Sequence, residues 1–215
     1  MKPMRLFLLL TAHALLLAGC SLTGGSKDSV TIYAPHVQVT SDPAWPQVSW
    51  QLAITKPSAA LMVDSQRIVV RPTPDELQVY SGASWAQPAT DMLEDTLLRA
   101  FEDSGRIPGV ARLGSGVGAD YKLLLELRRF ESDYAGHAVP AATIELSVKL
   151  LHNLDQRVVS SHTFLVTQTA GGTGEAQVVD AFGQALSQLS RTVVGWTLQE
   201  GQADAARAVP PPTRR

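Results

Sequence analysis

The chain has 215 residues, 18 lysines and arginines against 20 acidic residues, and a formal charge of −2. Such a balance gives no electrostatic reason to seek nucleic acid or an anionic membrane surface. Hydrophobic residues make up 45%, enough for a real core, and the single cysteine excludes an intrachain disulfide.

The N-terminus carries its own signal. Lys2 and Arg5 frame a basic start, and an apolar run from Leu6 to Leu17 follows, interrupted only by Thr11 and His13. That is roughly a dozen residues, against about 20 for a spanning helix. A basic start, a short apolar stretch and small residues at its end predict a secretory signal over residues 1–19. Its close, Leu17-Ala18-Gly19-Cys20, resembles a bacterial lipobox. The resemblance implies that Cys20 becomes the acylated first residue of the mature chain. Ser21 after it, rather than Asp, implies sorting to the outer membrane. At about 0.8 kcal/mol per buried methylene, more than one acyl chain gives stable anchoring. The signal holds two basic residues and no acid, so the remaining 196 residues carry 16 basic against 20 acidic groups, a charge of −4. Residues 20–29, small and polar after the cysteine, read as a lipidated N-terminus and flexible tether.

A domain over residues 30–200 follows. In QVSWQLAI (47–54), Val48, Trp50, Leu52 and Ile54 alternate onto one face, which predicts a half-buried strand. Arg67–Arg71 is a short strand stopped by Pro72, and Glu76–Tyr80 is another, the two forming a hairpin across PTPD (72–75). From Pro88 to Ser104 the period changes: Met92, Leu93, Leu97, Ala100 and Phe101 share a helical face. Ser84 and Gln87 have capping-box spacing, Thr90 is a competing start, and Gly105 supplies the stop. Tyr121–Phe130 and Thr143–Leu151 alternate as strands, Leu124 on the second face of the former marking it as central. Residues 152–156 make a hairpin loop into the strand Arg157–Gln168. A last amphipathic helix runs from Glu175 to about Glu200, with Val178, Phe182, Leu186, Leu189 and Trp196 in its stripe. Gly201–Arg215, which contains three successive prolines, is expected to be a disordered tail. The order predicts a single α/β domain in which a mixed sheet packs with two long amphipathic helices.

Motifs for catalysis are sparse. GSGVG (114–118) leads into a strand, where phosphate cradling wants a helix N-terminus, so it reads as a flexible turn. His36, His137, His152 and His162 lack metal-ligand spacing. Ser84 lacks the second glycine of a nucleophile elbow. The pairs Glu94-Asp95 and Glu102-Asp103 read as solvated helix charges. No catalytic residue, metal or cofactor is expected.

One segment is more specific. Residues 61–98 contain Asp64, then Ile68-Val69 and Arg71, a second strand ending in Tyr80, and Trp85-Ala86-Gln87-Pro88 before a helix. This order resembles the auxiliary lipoproteins of ABC-type lipid transport systems, the family of paraquat-inducible protein C. The likeness extends through Arg129-Phe130-Glu131 to the Trp196 helix, while Thr31-Ile32-Tyr33-Ala34-Pro35 is a loose match to the aromatic Y-x-L start. It implies a layout like an anticodon-binding domain or the N-terminal domain of TolB. It also implies a non-enzymatic, periplasm-facing partner of an MCE-domain transporter protein, anchored in outer-membrane lipid through Cys20; a homo-oligomer is compatible with it. A lipid-binding carrier and a structural envelope lipoprotein are the alternatives. Arg67, Arg71, Tyr80 and Trp85 are the candidate partner interface. For Trp85 the competing reading is packing on the sheet at the start of the helix; for the arginines it is solvation, or contact with a carboxylate.

Overall fold

Strand β7 (Tyr121–Asp133) organises everything around it. Along one edge it pairs antiparallel with β8 (Ala141–His152), which pairs in turn with β9 (Val158–Thr169). Along its other edge it takes three short parallel strands in succession: β2 (Leu52–Ile54), β3 (Ser58–Ala59) and β4 (Arg67–Arg71). β5 (Gln78–Trp85) pairs antiparallel with β4 and parallel with β1 (Thr31–Tyr33), and β6 (Val110–Arg112) flanks β2. The nine strands among the described residues form one mixed sheet. The helices α1 (Ala89–Ser104) and α2 (Glu175–Ala208) complete a two-layer α/β domain, as the alternating pattern predicts. This computed structural model describes residues 29–208. The expected signal, Cys20, nearly all of the tether and the chain's last seven residues lie outside the described residues.

Alternation decides which face is buried. Leu123, Leu125 and Leu127 of β7 and Ile144, Leu146, Val148 and Leu150 of β8 point into one core with both helices. Lys122, Glu126, Arg128 and Lys149 stand on the opposite face. A bulge at Arg128 shifts the phase, so Leu127 and Phe130 both turn inward.

Several boundaries differ from expectation. The 47–54 stretch keeps its alternation, with Val48, Trp50, Leu52 and Ile54 buried, but only Leu52–Ile54 forms a ladder. Upstream, the backbone of Gln51 bonds instead with Asp120 and Tyr121. β5 runs five residues past Tyr80, so Ser84 and Trp85 belong to a strand rather than to a helix cap. The N-cap position of α1 is Pro88, which offers no side-chain bond, and the helix start is instead tied down when the Thr90 hydroxyl donates to the Asp64 carboxylate at 2.5 Å. Gly105, in the left-handed region at φ 62°, closes the helix as predicted.

The largest correction concerns α2. The disordered tail expected from Gly201 is helical through Ala208, eight residues further. Gly201 lies against Trp50 so closely that a Cβ there would sit 2.5 Å from the ring. One turn on, buried Asp204 accepts from Tyr121 Oη and Arg157 Nη2, both at 3.1 Å, and from Arg207 at 3.4 Å. Tertiary contact therefore carries a segment whose Gly, Asp and Ala give no hydrophobic stripe.

The same cluster sets a pH dependence. The hydrogen bond from Arg157 holds the Asp204 carboxyl below its ordinary value, against the opposing effect of burial. Its contribution to stability is present above the unfolded value of 3.8 and is lost as pH falls through the lower folded value. Burial, with the bond to Asp204, pushes Tyr121 up from 10.0 to about 12. Its contribution is full below pH 10 and disappears between pH 10 and about 12. Melting curves across pH should therefore show an acid limb that Asp204→Asn flattens and an alkaline limb that Tyr121→Phe flattens.

Candidate functional site

The four residues proposed from sequence are not one surface. Trp85 is 1% exposed. Its ring meets Phe182 edge-on at 5.1 Å and Phe130 at 5.8 Å, and those two stack at 4.7 Å. It is a core residue and not an exposed anchor, because β5 carries it under α2 before the chain turns into α1. Arg71 is engaged as well. Its Nε and Nη2 donate to the two carboxylate oxygens of Glu131 at 2.8 and 3.0 Å, and Nη1 donates to the Pro74 carbonyl at 2.7 Å. Arg129 donates to the same Glu131 at 2.5 Å and to Asp133 at 2.5 Å. The carboxylate contact is thus the reading that holds for Arg71, and two motif pieces sixty residues apart prove to be one ion-pair cluster. Tyr80 is half-buried, its hydroxyl 3.2 Å from that of Ser132, and burial pushes its pKa up.

Arg67 differs. It is exposed and borders a surface groove of about 390 Å³ with Leu61, Met62, Leu77 and Val79. Leu61 is 89% exposed, Met62 42% and Leu77 41%. The turn after β3 presents the first two, held by the Asp64 amide bonding to the Ala60 carbonyl at 2.8 Å. Large apolar side chains project together beside an arginine, and of these residues Met62 and Arg67 are of types that protein interfaces enrich. Sequence reading missed Leu61, Met62 and Leu77. The available signal was an aperiodic Leu-Met pair in a turn.

Other sequence features settle into structural roles. Gly114 and Gly116 take positive φ in the turn ahead of β7. His152 Nδ1 lies 2.8 Å from Asp155 in the hairpin between β8 and β9. Among the described residues no group of three or more His, Cys, Asp or Glu is placed to hold a metal. No helix among them is long and apolar enough to cross a membrane. The space between helices and sheet is filled by Trp85, Phe101, Phe130, Phe182, Ile144 and Leu186.

The geometry defines a two-layer α/β domain with a filled interior and an exposed apolar patch. The chain belongs to the family of ABC-type transport auxiliary lipoprotein components, whose model matches residues 31–194. It is similar to protein XCC0632 from Xanthomonas campestris, whose crystal structure is 63% identical in sequence, with a TM-score of 0.79 over 82% of this chain and 99% of that one. An uncharacterised protein of known structure, 16% identical, shares the fold at a TM-score of 0.60 over 77% of this chain and 97% of its own. An uncharacterised protein of Bradyrhizobium diazoefficiens, bll6063, is 27% identical over 185 residues. That match covers 85% of this chain and 49% of the relative, so the chain spans about half the length of the curated relative.

Proposed function

We propose that this chain is a non-enzymatic outer-membrane lipoprotein that faces the periplasm and docks to an MCE-domain transporter protein. The system it serves moves phospholipid or another hydrophobic substrate between the two membranes. The observation that carries the reading is the exposed apolar patch of Leu61, Met62 and Leu77 beside Arg67. Acyl chains on Cys20 hold one end in the membrane. The tether of residues 20–29 then gives a reach of up to about 35 Å when extended, and the patch meets the partner. ATP hydrolysis belongs to another subunit. A lipid carrier would need room between helices and sheet, and side chains of the domain already occupy that space.

The test is in-cell crosslinking of the chain tagged at its C-terminus, followed by mass spectrometry. An MCE-domain protein should be recovered, and recovery should fall when Cys20→Ala removes the anchor. Leu61→Asp and Arg67→Glu should each lower it by about tenfold, the loss of a contact worth about 1.4 kcal/mol, with melting temperature unchanged because both side chains are exposed. Correct placement in the outer membrane without a transporter partner, but with co-purified lipid, would overturn docking in favour of the carrier.

A further inference from the structure

Between Lys56 and Asp64 the chain makes β3 and then the turn that carries Leu61 and Met62. Both limbs of this segment reach neighbouring residues at the start of α1. The Lys56 ammonium lies 2.6 Å from the Asp91 carboxylate, and the Asp64 carboxylate accepts from the Thr90 hydroxyl at 2.5 Å. The two ties differ in strength. The side chains of Lys56 and Asp91 are 51% and 37% exposed, so solvent and salt weaken that pair. Thr90 is 0% exposed. A hydroxyl bound to a carboxylate away from water makes a strong, charge-assisted bond. The tie to Thr90 is therefore the one that holds the segment.

The turn has a fixed shape of its own. The Val63 and Asp64 amides both donate to the Ala60 carbonyl, at 2.9 and 2.8 Å. The Ser65 amide donates to the Val63 carbonyl and the Ser65 hydroxyl to the Met62 carbonyl, each at 2.9 Å. These bonds lie within residues 60–65, so they shape the turn without fixing it to the domain. Val63 and Asp64 supply the outward link. Val63 is buried in the core, a contact with no preferred direction. Asp64 adds a bond that has one.

We propose, on the docking reading of the Leu61 patch, that Asp64 and Thr90 are its positioning residues. A turn that moved freely would have to be ordered when it met a partner, and a turn held in place avoids that cost. Thr90 is buried, so it acts on a partner only through Asp64 and the turn. The competing role is structural alone: a carboxylate beside a helix start complements the helix dipole, and Pro88 at that start offers no side-chain bond. The two roles differ in what they do to residues 60–65.

The experiment compares Thr90→Val, Thr90→Ser and Leu61→Asp in the full chain by two readouts. Hydrogen exchange of the purified protein reports on residues 60–65. In-cell crosslinking reports the yield of MCE-domain protein per folded molecule. Thr90→Val should speed exchange across residues 60–65 about tenfold, the effect of losing one hydrogen bond to a charged group. Exchange in β7 and β8 should stay as it is, and the crosslinked yield should fall about threefold as the patch loses its preorganisation. Thr90→Ser keeps the hydroxyl and should restore both. Should Thr90→Val fail to fold, Asp64→Ala removes the same bond from its half-buried side. Unchanged exchange in residues 60–65, or a Thr90→Ser protein that restores neither readout, would overturn the proposal. So would faster exchange with undiminished crosslinking, where Leu61→Asp still lowers the yield; the docking reading would then stand without the positioning role. Leu61→Asp with no effect on the yield would overturn the docking reading and the proposal with it.

Discussion

Trp85→Ala should lower the unfolding free energy by about 4 kcal/mol and the melting temperature by about 10 °C. The side chain is 1% exposed and fills the junction of β5, β7 and α2. Truncation removes both aromatic contacts and leaves a cavity that Phe130 and Phe182, already stacked, cannot fill without losing each other. The indole Nε1 has no hydrogen-bond partner, so Trp85→Phe gives up no polar interaction and should cost far less. Urea denaturation of the three proteins measures this directly. Partner crosslinking per folded molecule should not change in either variant. A Trp85→Ala protein that kept its stability and lost its partner would return Trp85 to the interface.

That residue also shows what could be read from sequence and what could not. The alternation in 143–151 located β8 because one face of that strand is buried and the other is wet, so each side chain reports its side. α1 was legible for the same reason, at period 3.6. Trp85 was not, because the sequence shows an aromatic ahead of a helix and does not say which layer it faces. β1, β3 and β6 have two or three residues each, too few for a period to show. The end of α2 failed by another route. Gly201 and Asp204 look like linker residues until Trp50, Tyr121 and Arg157 arrive from distant positions. The patch was half legible. Arg67 was marked by its motif, while Leu61 and Met62 declare themselves only by being left outside the core.

Glu131 is where the second large effect is expected. Glu131→Met should destabilise the domain by about 3 kcal/mol. The carboxylate is 3% exposed and receives Arg71 through both oxygens and Arg129 through one. Removing it strands two guanidinium groups, each about a quarter exposed, against β7. That partial exposure keeps the cost at the lower end of the range for a broken buried pair. Arg129 retains Asp133, so Arg71 carries most of the penalty. The double variant Arg71→Met/Glu131→Met removes the stranded charge together with its partner and should recover more than half of the lost stability, since a buried ion pair replaced by apolar groups of similar volume is close to neutral. A double-mutant cycle in urea gives the coupling energy. Strong coupling would assign the Arg71 and Arg-Phe-Glu pieces of the family pattern to the clasp between β4 and β7. A double variant as unstable as the sum of its single changes would show that the two residues act separately, and would leave Arg71 free to serve a partner.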